Sequence, residues 1–460
     1  MKRIVSVGII LLVMLCYATF PTMAAQKEWT WMVFLNADNN LDMFGRADLK
    51  EMSKVGSSEF LNIVALIDHE GGPASLTYVE KNHINILKDM GNVDMGDYRN
   101  LVSFVTETVR DYPANHYALV IWNHGNGWFK SGNTIDRGIS YDESSGHHIT
   151  TLELGHAMDQ ISKSIGKKVD ILAMDACLMQ MMEVLYVVKD SCDYVVASEE
   201  IEPSLGYPYI DILQGLNKNT TPLELAKHIV AAYTASYNGG SQGKYFTTLS
   251  AIDCSKLDAL KEAIDALAEI SMTGKYTANY ASALNGVQHF YFDTNIDLVH
   301  LVERLKSIVK DEAFLAIADK LEKALGNAII AFGNTGEPKK NAKGLAIYFP
   351  DSAPDYSLDY DDLTYSQESL WDDMLKKYYQ SKIIGDVANG DLSSLNKYVD
   401  CIGAENYYRL HELEVYDFNK ELVTRLNFRL FTENPIAFSL QEQLNELIIE
   451  LKKKRELQND

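Results

Sequence analysis

Apolar and polar positions alternate along this chain in two registers. Short apolar runs that stop abruptly occur at Trp31–Asn36, Asn62–Asp68, Tyr117–Trp122, Val169–Met174, Tyr194–Ser198 and Phe246–Ile252. Runs of this kind are the pattern of buried strands in a parallel sheet. Between them, apolar residues recur at helical spacing near Phe44–Val55, Tyr98–Asp111, Leu152–Ile165, Leu178–Val188 and Pro222–Tyr237. Leu154, Ala157, Met158, Ile161 and Ile165 share one face of the third helix, and Thr150 with Glu153 has the spacing of a capping box at its start. Strands alternating with helices predict βαβ units and a mostly parallel α/β sheet. Leu76–Leu87 is rich in β-formers and predicts a hairpin at a sheet edge.

After Ser255 the pattern turns mainly helical to about Lys382, interrupted by a strand at Leu345–Phe349. The acidic stretch Asp351–Asp362 reads as a solvated loop. Beyond Gly385, Leu426, Phe428 and Leu430 alternate as in a strand, and Leu440, Leu444, Leu447, Ile448 and Leu451 line a last helix face. The domain reading is therefore 1–24, 25–253, 254–385 and an extension of unknown role at 386–460.

The first of these segments is a leader. Lys2-Arg3, the apolar stretch Ile4–Cys16 and the small residues to Ala24 have the layout of a secretory signal peptide. Export to the periplasm or medium is the expectation, with no membrane span, since none of the apolar runs reaches about 20 residues. The formal charge of −22 becomes −24 without Lys2 and Arg3. So acidic a chain is a poor partner for nucleic acid or anionic membranes and suits cationic partners. Cys177, Cys192, Cys254 and Cys401 would remain after cleavage. That is too few for a disulfide-stapled scaffold, and at most one bridge can form among the three besides Cys177.

Candidate chemistry sits where two strands end. Tyr117–Trp122 is followed by Asn123-His124-Gly125, and Val169–Met174 by Asp175-Ala176-Cys177. Open α/β sheets bind ligands beyond the carboxyl ends of their strands. An imidazole there can activate a thiol as a nucleophile, and a thiol at the start of a helix near Leu178 would have its pKa lowered as well. Asp175 has the residue type of a helix cap.

Five stretches resemble the clostripain family of cysteine peptidases, in the clan of caspases, legumains and gingipains. They are Trp29–Asp42 (WTWMVFLNADNNLD), Trp122–Trp128 (WNHGNGW), Met174–Met179 (MDACLM), Ala197–Tyr207 (ASEEIEPSLGY) and Gly344–Pro350 (GLAIYFP). The resemblance implies a caspase-like sheet flanked by helices, with a mainly helical region packed against it. It implies a Cys-His dyad of Cys177 and His124, and an oxyanion hole from the main-chain N–H groups of Gly125 and Cys177. It further implies that Asp175 lies in the S1 pocket and pairs with a P1 arginine or lysine of a protein or peptide substrate. Glu199, Glu200 and Glu202 are candidates for the same pocket, with none preferred. Relatives are often activated by a cut between the dyad residues, which makes Arg137, then Lys130, the candidate in the polar stretch Ser131–Ser145.

Calcium is an expectation from the resemblance alone, with no residue assigned. Asp38, Asn40 and Asp42 open like an EF-hand loop, but Met43 and Leu49 stand where glycine and glutamate are needed. HExxH, paired CxxC and P-loop motifs do not occur. A catalytically silent homologue that binds peptides through the cleft or the tail is the alternative.

Overall fold

The six apolar runs become strands of one nine-stranded sheet. In the computed structural model, which describes residues 26–128, 138–352 and 355–388, they are β1 (Lys27–Ala37), β2 (Leu61–His69), β5 (Ala114–Trp122), β6 (Val169–Asp175), β7 (Cys192–Ala197) and β8 (Thr248–Asp253). The expected edge hairpin is β3 (Ala74–Glu80) and β4 (His83–Gly91), and β9 is Ile329–Asn334. The order across the sheet is β9-β8-β7-β6-β5-β1-β2-β3-β4. The five central strands run parallel, and two antiparallel strands close each side.

The apolar runs are continuous because both faces are covered. Along β1, Met32 and Phe34 enter one core while Trp31, Val33 and Leu35 enter the other. Helices α1 (Asp42–Val55), α5 (Tyr209–Gln214) and α6 (Pro222–Tyr237) cover one face. Helices α2 (Tyr98–Asp111), α3 (Thr151–Ile165) and α4 (Met182–Val188) cover the other. The capping box of Thr150 and Glu153 is formed, and Thr221 with Glu224 makes a second at the start of α6.

The later helices α7 (Leu257–Ser271), α8 (Thr277–Leu284), α9 (Leu298–Ile308), α10 (Glu312–Ala328), α11 (Thr364–Glu368) and α12 (Trp371–Ala388) join the same core as α2 to α4. Two expectations change here, and the expected strand gains a partner. The helical region supplies β9 to the main sheet, antiparallel to β8. Its expected strand is Ala346–Tyr348, paired outside the main sheet with Asn295–Asp297. The acidic stretch Asp351–Asp362 is also more than a solvated loop. Tyr356 and Tyr360 are buried, and the Tyr360 hydroxyl donates to the buried Glu183 carboxylate at 2.9 Å. The leader, Lys130, Arg137, Cys401 and the elements expected beyond residue 388 lie outside the described residues.

Candidate active site

Strand register brings the two motifs together. In the β5–β6 ladder Ile121 stands opposite Met174 and Trp122 opposite Asp175, so the two strands end level. His124 and Cys177 each follow by two residues, and the Asn123 N–H donates to Asp175 O at 3.2 Å. Gly125 lies against the Cys177 backbone, where a Cβ would fall 2.5 Å from Cys177 O. Only glycine fits there without displacing the cysteine. His124, Cys177 and Asp175 line one cleft with Trp122, Glu202 and Gly206.

Cys177 is not at a helix N-terminus. Leu178 has φ of +64°, its N–H goes to Glu200 O at 3.1 Å, and the Gln180 N–H goes to Ser198 O at 2.9 Å. The segment after the cysteine is therefore pinned beside the end of β7, and α4 starts only at Met182. Without a helix dipole, the expected lowering of the thiol pKa is absent. Burial pushes Cys177 up to about 11; the Glu202 N–H, 3.2 Å from Sγ, opposes this, while the charges of Glu200 and Asp175 add to it. Burial also holds His124 below the usual histidine value. A neutral thiol and a neutral imidazole in one cleft are the resting state that these shifts favour.

His124 has a partner that the sequence did not assign to it. Its Nε2 meets Asn40 Oδ1 at 2.7 Å, and Asn40 sits in the loop just after β1. The neighbouring Asn123 is held by the same region, its Nδ2 donating to Asn36 O and Tyr141 O. Asn40 was visible only in the first family stretch and in the EF-hand-like opening, with nothing local to mark it as a histidine partner.

Asp175 ends β6 with its side chain buried. Its Oδ2 accepts from the Tyr209 hydroxyl at 2.8 Å and the Tyr207 N–H at 3.1 Å, so it caps no helix. Burial pushes its carboxyl up to about 6, against those two donors and the Glu202 carboxyl beside it. Of the three glutamates, Glu202 reaches the cleft. Glu200 is spent on an ion pair with Lys339, and Glu199 accepts from the Gly344 N–H at 3.1 Å next to Asp297. Both carboxyl oxygens of Glu202 are buried and without a hydrogen-bond donor. Burial and the neighbouring Asp175 raise Glu202 well above the usual carboxyl range. Asp48, bound to the Trp122 indole N–H at 2.8 Å, adds a third raised carboxyl behind them.

Residues 33–378 match the clostripain family model. The chain belongs to the clostripain family. Clostripain-family members are cysteine peptidases, and this chain is one of them. It is similar to clostripain from Hathewaya histolytica, 26% identical over 411 residues that cover 73% of this chain and 77% of that one. Among solved structures, it shares its fold with a secreted C11 cysteine protease from Bacteroides thetaiotaomicron in complex with an irreversible peptide inhibitor. That match has a TM-score of 0.59 at 21% identity and covers 76% of this chain and 99% of that one. An inactive zymogen C11 protease from Parabacteroides distasonis matches with a TM-score of 0.58 at 20% identity, over 74% of this chain and 98% of that one. No helix among the described residues is long and apolar enough to cross a membrane.

Proposed function

We propose that this clostripain-family peptidase is exported and cleaves peptide bonds after arginine or lysine, with Cys177 as nucleophile and His124 as general base and acid. The observation that carries this reading is one cleft holding the thiol, the imidazole and two buried carboxyls, Asp175 and Glu202. Neither carboxyl has a cation partner among the described residues, and a buried charge without one is costly. A P1 guanidinium or ammonium would supply it, while an uncharged P1 side chain would leave the carboxyls unpaired. Since both are raised, the pair keeps a proton near neutral pH and presents about one negative charge to one positive one.

In this mechanism His124 takes the Cys177 proton as the sulfur attacks the carbonyl carbon. The Gly125 and Cys177 N–H groups hold the developing oxyanion. His124 then protonates the leaving amine, and water releases the acyl group from sulfur. A cationic side chain arriving beside Asp175 also cancels part of the charge that raises the thiol, so correct substrate favours proton loss. Export rests on the leader at residues 1–24, and activation by a cut at Arg137 completes the proposal.

The test is labelling by a thiol-reactive peptide ending in arginine, together with turnover of Arg and Lys substrates. Cys177→Ala should abolish both. His124→Ala should reduce turnover by on the order of 1,000-fold or more, as loss of one member of a catalytic pair does. Near-wild-type turnover in either folded variant would remove the dyad. A silent, peptide-binding homologue would bind the peptide without forming the covalent adduct.

A further inference from the structure

We infer that Asp38, Asp68 and Asp142 form a binding site for a hard divalent cation of the calcium type. Three separate segments deliver them to one place. Asp38 follows the last residue of β1, Asp68 is the next-to-last residue of β2, and Asp142 ends the short strand Ile139–Asp142. The parallel register sets Asn36 opposite Asp68 and Ala37 opposite His69, so Asp38 leaves β1 at the same edge of the sheet where Asp68 stands. One carboxylate oxygen from each residue lies within 4.8 Å of the others. Calcium–oxygen bonds of about 2.3–2.6 Å let one ion reach oxygens as far apart as this, and calcium accepts irregular sets of carboxylates where magnesium demands near-ideal octahedral geometry.

A group of acids is not by itself a site, and the hydrogen bonding of Asp68 supplies the missing observation. Its side chain is 1% exposed. Oδ1 accepts from its neighbour's N–H, that of His69, at 2.8 Å, while the buried Oδ2 has no hydrogen-bond donor. The nearby charges that act on it belong to Asp38 and Asp142, and both are negative. Asp38 and Asp142 are 3% and 2% exposed, so water does little to relieve the repulsion. A buried carboxylate oxygen is stable when it meets a donor, a proton or a metal. Three oxygens from three segments, beside a buried carboxylate oxygen without a donor, match the demand of a cation that prefers oxygen ligands.

The linear EF-hand-like opening is taken apart in the fold, which is why its residues pointed to no site. Asp42 instead meets His69 Nδ1 at 2.8 Å and Asn40 meets His124, leaving Asp38 to turn towards the cluster. Asp142 is already oriented, its Oδ2 accepting from the Met95 N–H at 2.9 Å and its Oδ1 from the Ser145 N–H at 2.8 Å. A bound cation would therefore tie together the ends of β1 and β2 and the strand Ile139–Asp142. Those segments also carry Asn36, Asn40 and Tyr141, the groups that hold Asn123 and His124. The site thus braces the histidine side of the cleft, and its existence does not depend on the cleavage specificity proposed above.

The experiment uses the full chain, stripped with a chelator and then titrated with calcium chloride or magnesium chloride. Isothermal calorimetry should show calcium binding and at least a ~10-fold weaker response to magnesium. Thermal unfolding should move up by a few degrees in saturating calcium. Asp68→Asn keeps an oxygen for the His69 N–H but removes the charge, and should abolish the thermal response. Because less negative charge is then buried, this variant should unfold no lower than wild type in chelator. Asp142→Asn should weaken the response in the same way. Equal melting temperatures for wild type with and without calcium, together with no heat of binding, would overturn the site. So would a full calcium response retained by Asp68→Asn, which would locate the binding elsewhere.

Discussion

At the scale of single residues, the cleft is governed by burial of acids. Asp175 ionises in the fold at about 6, above its unfolded value of about 3.9. Between those values the folded state holds a proton that the unfolded state has lost. The stability contributed by this group is therefore present below about pH 4 and falls away as pH rises through about 6. Asp175→Asn retains an oxygen for Tyr207 and Tyr209 and removes the buried charge, so at pH 7 its melting temperature should equal or exceed that of wild type. Its kcat/KM on Arg and Lys substrates should nevertheless drop by on the order of 100-fold. Wild-type kcat/KM for those substrates should decline as pH is lowered through about 6, because a protonated Asp175 no longer pairs with the P1 cation. Thermal melts and a P1-varied peptide panel across pH check both halves. A destabilised Asp175→Asn with unchanged P1 preference would assign the residue to structure alone.

At the scale of elements, hydrogen bonding decided where helices begin. Periodicity alone places a helix from Leu178, yet the N–H groups of Leu178 and Gln180 are taken by Glu200 O and Ser198 O in the segment after β7, and the helix waits until Met182. The turn so created carries Cys177 and keeps it off a helix N-terminus, while burial raises its thiol. A second element-scale feature is the lock formed by α12 on the strand Ala346–Tyr348. Trp371 is fully buried, donates its indole N–H to Tyr348 O at 2.8 Å and packs edge-on to Phe349. Trp371→Ala should cost about 3–5 kcal/mol in denaturant unfolding. The folded fraction should keep the P1 preference of wild type, since the residue lies outside the cleft lining. A loss under about 1 kcal/mol would show that α12 is not anchored there.

For the whole molecule, the sheet divides at one ladder. A cut after Arg137 would leave β1 to β5 on one fragment and β6 to β9 on the other, joined by the β5–β6 pairing and both cores. The expected outcome is two fragments that co-elute under native conditions and separate in denaturant. Cys177→Ala, lacking the nucleophile, should stay a single chain, and N-terminal sequencing of the second fragment should begin at Gly138. The described part of the polar stretch Ser131–Ser145 is not all loop. Ile139–Asp142 is a strand paired with His147–Ile149, and buried Ser140 donates to Met95 O at 2.9 Å. A cut at Arg137 would thus leave that strand whole on the second fragment. Active wild-type enzyme that remains uncut through this region would leave the peptidase reading intact and remove this mode of activation.

The apolar runs by themselves determined the central sheet, because a strand buried on both faces needs no partner's identity to be recognised. They also placed His124 and Cys177 at strand ends, and the five family stretches named the chemistry. The capping box at the start of α3 was legible too, since Thr150 and Glu153 meet within one turn. Contacts between distant segments decided the rest. β9 was hidden in a helical stretch because its pairing with β8 joins residues about 80 positions apart. Glu202 could be chosen over Glu199 and Glu200 only when Lys339 and Gly344 had claimed the other two. Asn40 at His124, and the convergence of Asp38, Asp68 and Asp142, arise from parallel strand ends lying level in space. Charge and hydrogen-bond partners of that kind have no period along a chain, so only the tertiary structure could assign them.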